Sequence, residues 1–222
     1  MHTVSATKIE TETQVSPLAA QGEKRPLHSV WKTSIRYALL TALLFGVGYP
    51  VLMTLIAGAI FPRRAAGSLI LRNGQIVGSA LLAQSFTSDR YFHPRPSATD
   101  YSATADFAAN STTSPSGGSN LAQSNAKLAQ RIQADIDKLQ AQNPGKPVPI
   151  DLVTTSGSGL DPDITPDDAY YQAPRVAKAR GLSQDALRKL IAQHTETRQL
   201  GFLGEPRVNV LELNLALDAM AK

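Results

Sequence analysis

The run LVTTSGSGLDPDIT, residues 152–165, gathers residue types from which several kinds of active site are built. Its serines could attack a substrate, its aspartates could bind a metal ion, and its glycines could hold a phosphate through backbone N–H groups. Each of these chemistries needs further groups at a defined spacing. The rest of the sequence therefore tests each of them.

A serine nucleophile needs a G-x-S-x-G turn and a nearby base. The positions two residues from Ser158 are Ser156 and Leu160, so the pattern fails. Of the histidines that could act as the base, His93 stands beside a proline and His194 lies on a predicted helix. A membrane-anchored serine hydrolase stays open as an alternative, but we assign no catalytic residue.

The acidic residues in and after this run lack the spacing of a calcium-binding loop. Prolines interrupt the chain between them, and a helix start accounts for the last two (Asp161, Asp163, Asp167 and Asp168). The sequence contains no cysteine, which excludes disulfides, zinc–thiolate sites and thiol catalysis. We therefore assign no metal ligand.

Phosphate-binding and nucleic-acid-binding patterns are also lacking. No GxxxxGK[ST] occurs and no GxGxxG opens a helix, so turn formation is the simpler explanation of the glycines. The net charge of +4 is shared evenly between the parts before and after Phe61. A nucleic-acid-binding protein would concentrate its lysines and arginines along one stripe, so we expect no nucleic acid as a partner.

An uncharged apolar run from Tyr37 to Phe61 determines the class of protein. As a helix it would be about 37 Å long, enough to cross the hydrocarbon core of a bilayer. A cleaved signal peptide is less favoured because the apolar run is too long for one. We predict a transmembrane helix at residues 34–61, kinked near Pro50. The polar residues 1–33 are predicted to be a disordered cytoplasmic tail, since flanking positive charges lean slightly toward an inside N-terminus.

The remainder, 62–222, reads as one α+β domain. Apolar runs on either side of Asn73-Gly74 predict a hairpin over 68–86, and a long polar loop with several aromatic residues follows it. Helices are predicted at 121–143, capped by Ser119 or Asn120, from Thr165 to about Lys178, and after Ser183, where Leu187, Leu190 and Ile191 form the buried side. Alternating apolar residues predict a strand over 207–218.

The order of the polar motifs resembles that of one membrane-protein family. The motifs are RYFHPRPSA (90–98), SGGSN (116–120), PVPIDLVTTSGSGLDPDIT (147–165), QAPRVAKARGL (172–182) and LGFLGEPRVNVLELNLALD (200–218). They resemble KdpC, the small subunit of the KdpFABC potassium-transporting P-type ATPase. The resemblance runs from about Ser34 to Asp218 and includes the single anchor.

This resemblance implies a non-catalytic accessory subunit that supports assembly of the complex and potassium uptake. Its N-terminus would be cytoplasmic and its domain extracytoplasmic, on the inner (plasma) membrane. Its partners would be a potassium-channel-like subunit, a P-type catalytic subunit and a small membrane peptide. ATP, Mg²⁺ and potassium would be used by the complex, with no cofactor on this chain. A stand-alone extracytoplasmic ligand-binding domain is a further alternative.

The resemblance also supplies candidate residues. A proposed nucleotide role points to Ser116, Gly117, Gly118, Ser119 and Gln172, although a domain outside the membrane would not meet cytosolic ATP. The candidates for structural or interface roles are Arg95, Pro96, Ser97, Asn120, Ser156, Gly157, Ser158, Gly159, Asp161, Arg175 and Arg207. We expect the loop around Asp161 to be a rigid docking or folding feature, with Asp161 closing its turn.

Overall fold

A computed structural model describes residues 27–99 and 116–220 of the chain. The chain divides into two compact units, and the boundary lies between Ile56 and Ala57. Each unit is described by itself.

The first unit is a long apolar helix. It consists of α1 (Leu27–Leu43), a π-helical turn (Leu44–Gly48) and α2 (Tyr49–Ile60), of which α2 runs into the second unit. The span Val30–Ile60 is about 46 Å long at the usual rise, long and apolar enough to cross a membrane. Its large apolar side chains are 42–69% exposed, as expected for a helix whose solvent is lipid.

Pro50 shapes this helix at the turn before it. Proline lacks an N–H and its ring crowds the carbonyl four residues earlier, and the wider π-helical turn at Leu44–Gly48 relieves that crowding. The helix also includes residues 27–33, which we had placed in the tail, because no glycine or proline interrupts them. The predicted disorder of residues 1–26 lies outside the described residues.

The second unit begins with a short helix and a hairpin. Helix α3 (Pro62–Ala65) leads into β1 (Leu69–Arg72) and β2 (Gln75–Ser79), which pair antiparallel. Asn73 and Gly74 both have positive φ, 54° and 78°, so the predicted hairpin is confirmed. Its second strand ends at Ser79 and not near Phe86, because the Ser79 hydroxyl bonds to Gly67 O at 2.7 Å and turns the chain.

Helix α4 covers Ala126–Gln142 and begins later than predicted. Its N-cap is Asn125, whose side chain accepts the N–H of Lys127 at 2.9 Å. The predicted cap Asn120 has a φ of 51° and lies outside the helix, so the prediction of a start at 121 was wrong. Both positions carry an asparagine, and only the fold selects between them.

The next two helices follow their local signals. Helix α5 (Pro166–Arg180) starts with a capping box between Thr165 and Asp168, and it ends at Gly181, which has a φ of 67°. Helix α6 (Gln184–Gln193) is capped by Ser183. The predicted buried side of α6 is confirmed, since Leu187, Leu190 and Ile191 are all buried.

The predicted strand at 207–218 was wrong beyond its first residues. Strand β5 covers only Arg207–Asn209, and α7 (Val210–Met220) follows it directly. Val210, Leu213, Asn214 and Leu217 are all buried and recur at helical spacing, which the alternation of leucines concealed. Strand β5 lies between β3 (Asp163–Ile164) and β4 (Thr195–Glu196) in an antiparallel sheet.

The core of this unit is formed by the helices α5, α6 and α7 and the strands β3 and β5, together with one loop residue, Phe92. Phe92 is 0% exposed, and its backbone N–H and C=O bond the Asn214 amide, each at 2.9 Å. The loop after β2 is therefore fixed to the core through Phe92. Tyr101 and Phe107, two aromatic residues of the same loop, lie outside the described residues. One apolar N-terminal helix followed by a mixed domain confirms the predicted fold class.

Candidate functional site

Two glycine-rich segments of the second unit lie against each other. We call this contact between residues 116–119 and 156–161 the glycine junction. Gly117 N–H donates to Ser158 O at 2.8 Å, and the Ser116 hydroxyl donates to the same oxygen at 2.9 Å. The SGGSN and SGSGLDP motifs, far apart in sequence, thus form a single structural feature.

Glycine is required where the two segments meet. Gly159 has a φ of 71°, and a Cβ built there would lie 2.6 Å from Gly117 O. A Cβ on Gly118 would lie 3.2 Å from Gly157 O. Gly159 therefore needs a residue without a side chain, both for its backbone angle and for the close approach, whereas a side chain at Gly118 would only push Gly157 slightly aside.

A third segment closes the junction from one side. Ser156 N–H donates to Pro96 O at 3.3 Å, and the Ser97 and Thr99 hydroxyls donate to Gly159 O at 2.7 and 3.0 Å. Within the loop, Gly159 N–H donates to the Ser156 hydroxyl at 2.8 Å. The N–H groups of Gly117, Ser156 and Gly159 thus bond to oxygens of the same chain and are not available to hold an anion.

Arg95 links this junction to neighbouring acidic residues. Its guanidinium lies 3.2 Å from an Asp161 carboxylate oxygen and 3.3 Å from one of Asp151, and it donates to the Thr154 hydroxyl. The other Asp161 oxygen accepts the Asp163 N–H at 3.1 Å, which is the predicted turn closure. Arg95 thus pairs with carboxylates of its own chain.

A second cluster surrounds Gln172, the remaining nucleotide candidate. Its amide oxygen accepts the His93 N–H at 2.8 Å, and its amide N–H donates to His93 O at 3.1 Å. Arg175 donates to the same amide oxygen at 2.8 Å and to the carbonyls of Asp89 and Tyr91. Gln172 and Arg175 therefore hold the chain at His93 in place.

A small cavity lies beside this cluster. Its volume is about 250 Å³, and its lining includes His93, Lys138, Gln172 and Arg175. Burial, and then the positive charge of Arg175, lower the pKa of His93, so its imidazole is neutral at pH 7. Burial also lowers the pKa of the Arg175 guanidinium, which stays charged at any physiological pH.

The geometry at Ser158 does not favour a hydrolase. The Ser158 hydroxyl accepts the Leu160 N–H at 3.1 Å and contacts the Ser156 hydroxyl at 3.2 Å. The imidazoles of His93 and His194 contact the carbonyls of Ser88 and Leu190 instead, each at 3.0 Å. Neither histidine bonds to Ser158, so within the described ranges 27–99 and 116–220 no base contacts this serine.

Two candidates remain: Arg207 lies away from the junction, and Asn120 lies at its edge. Arg207 binds Glu196 at 2.8 Å and Asp163 at 3.3 Å, across the β3–β5–β4 sheet. Asn120 is exposed. Among the described residues, no group of three or more histidine or acidic side chains could hold a metal ion.

Sequence reasoning did not anticipate the roles of two buried polar residues. Asn214 lies in an apolar run and bonds Phe92, and the only sequence signal was an amide among leucines. Asp168 was recognised as a helix-start residue, but not as a buried group. Burial raises the pKa of Asp168 to about 6, against hydrogen bonds from Thr165 that lower it. Its Oδ1 is buried and accepts no hydrogen bond from the part of the chain that the structure describes.

Comparison with known proteins places this arrangement in a family. A family model described as KdpC, the K⁺-transporting ATPase c chain, matches residues 31–219. The chain belongs to the KdpC family. Among its relatives, a potassium-transporting ATPase KdpC subunit of Rhodopseudomonas palustris strain BisB18 is 55% identical over 85% of this chain and 96% of its own. The KdpC subunit of Methylobacterium nodulans is 57% identical, over 81% of this chain and 91% of its own. The KdpC subunit of Acidobacterium capsulatum is 53% identical, over 85% of this chain and 97% of its own.

Proposed function

We propose that this KdpC-family chain is an accessory subunit of a potassium-transporting ATPase, which supports assembly of the uptake complex and carries out no chemistry itself. One observation supports this beyond family membership. The residues that could have formed an active site are bonded to one another in the glycine junction and around Gln172. A self-satisfied, rigid surface suits docking better than catalysis.

The hydrolytic and pore-forming activities belong, in this proposal, to other chains. The sequence contains no DKTGT motif, in which a P-type ATPase carries its phosphorylated aspartate. The part of the chain that the structure describes contains one apolar helix long enough to span a membrane, which is too little to build a pore. ATP, Mg²⁺ and potassium would act on a P-type catalytic subunit and a channel-like subunit, with a small membrane peptide completing the complex.

The N-terminus would lie in the cytoplasm and the second unit outside the membrane. Four cations precede the uncharged run Tyr37–Phe61 (Lys24, Arg25, Lys32 and Arg36), and they slightly outweigh those that follow it (Arg63, Arg64 and, further on, Arg72). With this orientation the nucleotide candidates Ser116, Gly117, Gly118, Ser119 and Gln172 would not meet cytosolic ATP. Their role would be structural.

The absence of cysteine makes this orientation directly testable. A single cysteine is placed at Ile150, which is 71% exposed, in one variant and at Lys8 in another. A membrane-impermeant maleimide added to spheroplasts should label I150C at once and K8C only after lysis. Labelling in the reverse order would place the second unit in the cytosol and refute the proposal.

Assembly is tested by affinity purification from mild detergent, with the other ATPase subunits co-expressed. The parent chain should co-purify with two larger membrane chains. Asp161→Asn should lower the yield of complex, because it weakens the Arg95 pairing, yet leave potassium-stimulated ATP hydrolysis per assembled complex unchanged. Asp167→Asn, an exposed neighbour, is the control and should change neither. Full subunit content combined with lost hydrolysis in the Asp161 variant would contradict an accessory role.

A further inference from the structure

The turn between β4 and β5 exposes large apolar side chains at its end. We call residues 198–205 the β4–β5 tip. Leu200 is 83% exposed, Phe202 is 70% exposed and Leu203 is 48% exposed, within four consecutive positions. A compact apolar patch of this kind, outside the membrane helix, is typical of a surface that a partner covers.

Hydrogen bonds give the tip a fixed shape. Gln199 and Leu203 exchange both backbone hydrogen bonds at 2.9 Å, and the Gly201 N–H donates to Arg198 O at 3.1 Å. Leu200 adopts a φ of 54°, a left-handed conformation that a branched apolar residue rarely takes. The backbone therefore presents Leu200 and Phe202 to the outside in an ordered loop, and binding need not first order it.

The charges around the tip favour a protein partner over a lipid surface. Arg198 pairs with Glu205 at 2.6 Å, and Arg207 pairs with Glu196 at 2.8 Å. Each cation is neutralised by an acid of the same loop or strand pair. Binding to an anionic bilayer needs unpaired lysines and arginines beside the apolar residues, whereas an aromatic surrounded by paired charges resembles the centre and rim of a protein interface.

The strands that carry the tip are also connected to the first hairpin after the anchor. The Asn209 amide in β5 donates to Ala80 O at 2.9 Å, directly after β2. In the same region, a Cβ on Gly78 would lie 2.6 Å from a Leu211 methyl group, so β2 and α7 are tightly packed. The strand that carries the tip thus packs against the hairpin that follows the anchor in sequence. Because the anchor holds the chain at a membrane, we favour a partner in that same membrane.

We propose that the β4–β5 tip inserts Leu200 and Phe202 into an apolar pocket on another membrane-embedded subunit of the ATPase. This inference rests on the proposed accessory function and adds the surface through which it acts. Phe202 would be the central anchor and Leu203 its half-exposed support, while the Arg198–Glu205 pair would lie at the rim.

The first test is photo-crosslinking in native membranes that contain the full complex. The photoreactive amino acid benzoylphenylalanine replaces Phe202, and in a second variant it replaces Ile150, an equally exposed apolar residue in a short 3-10 helix (Ile150–Leu152). The Phe202 position should give an adduct with an ATPase subunit, identified by mass, about tenfold more abundant than the Ile150 position gives. An adduct with lipid, no adduct, or equal adducts from both positions would overturn the proposal.

The second test is co-purification of charge variants. Phe202→Asp and Leu200→Asp should each lower the recovered partner subunits about tenfold or more, the scale expected for a buried anchor residue, while Ile150→Asp keeps parental recovery. The melting temperature should be unchanged in all three variants, since these side chains are exposed. If the parent chain assembles and the tip variants assemble equally well, the tip proposal is wrong and the accessory function stands. If the parent chain recovers no ATPase subunit, both proposals are refuted.

Discussion

The glycine junction and the β4–β5 tip are two loops of one domain that share a construction and differ in what they expose. Both are fixed by backbone hydrogen bonds, and each has a residue in the left-handed region, Gly159 in one and Leu200 in the other. In the junction, polar groups are turned toward one another. In the tip, apolar side chains are turned outward.

This difference indicates that the two rigid loops have different roles, one in the stability of the domain and one in binding. The donors and acceptors of the junction named above form hydrogen bonds within the chain, so the junction contributes to the stability and shape of the domain. The tip leaves its apolar surface uncovered, so its contribution requires another molecule. A change in the junction should therefore lower the free energy of unfolding, and a change in the tip should not.

The largest contrast is expected between two phenylalanines. Phe92 is 0% exposed and fixed to Asn214, whereas Phe202 is 70% exposed. Phe92→Ala should lower the free energy of unfolding by about 3–5 kcal/mol because it leaves a cavity in the core. Phe202→Ala should change it by no more than about 0.5 kcal/mol. Chemical denaturation of the detergent-solubilised chain, monitored by circular dichroism, measures both changes. Similar losses of unfolding free energy would contradict the distinction between a core phenylalanine and an exposed one.

The glycines of the junction offer a contrast of intermediate size. Gly159→Ala should cost about 2–3 kcal/mol of unfolding free energy, because the new Cβ meets Gly117 O in a left-handed conformation. Gly157→Ala, two residues away, places its Cβ in open space and should cost less than about 1 kcal/mol. Thermal melts of the two variants side by side provide the measurement. An equal loss of stability in both variants would show that the close approach at Gly159 does not explain why glycine is needed in the junction.

The smallest expected effect concerns Asp168, which caps α5 beside the junction. Its pKa is raised from 3.8 to about 6, so the folded chain binds this proton more tightly than the unfolded chain. The free energy of unfolding should therefore fall as the pH rises from about 4 to about 6, by about 1–3 kcal/mol, and then stay level. Asp168→Asn, which keeps an acceptor for Thr165, should remove this part of the slope.

The exposed neighbour Asp167 provides the matched control for that experiment. Asp167→Asn changes an exposed side chain one residue before Asp168 and should keep the parental pH dependence. Denaturation at several pH values between 4 and 7 compares the three proteins. A parental slope in the Asp168 variant would mean that another group carries it.

Local signals in the sequence were enough for the anchor, the first hairpin and two helix starts. Asn73-Gly74 predicts its turn, and Thr165 and Ser183 predict their caps, because each acts on backbone groups only a few residues away. The resemblance to the KdpC motifs also singles out the residues of the glycine junction as candidates, and their functional role stays a prediction. The sequence does not predict how they pair, since the Arg95–Asp161 and Gly117–Ser158 contacts join distant segments.

The sequence by itself determined where the chain is apolar enough to span a membrane and where the helices α5 and α6 begin, because those properties depend on composition and on neighbouring residues. Only the tertiary structure decided that α4 begins at Asn125, that residues 207–218 divide into a strand and a helix, and that two glycine motifs meet. Those outcomes depend on which surfaces of distant segments bury one another. A periodicity that suits both strand and helix is settled only by the core against which it packs.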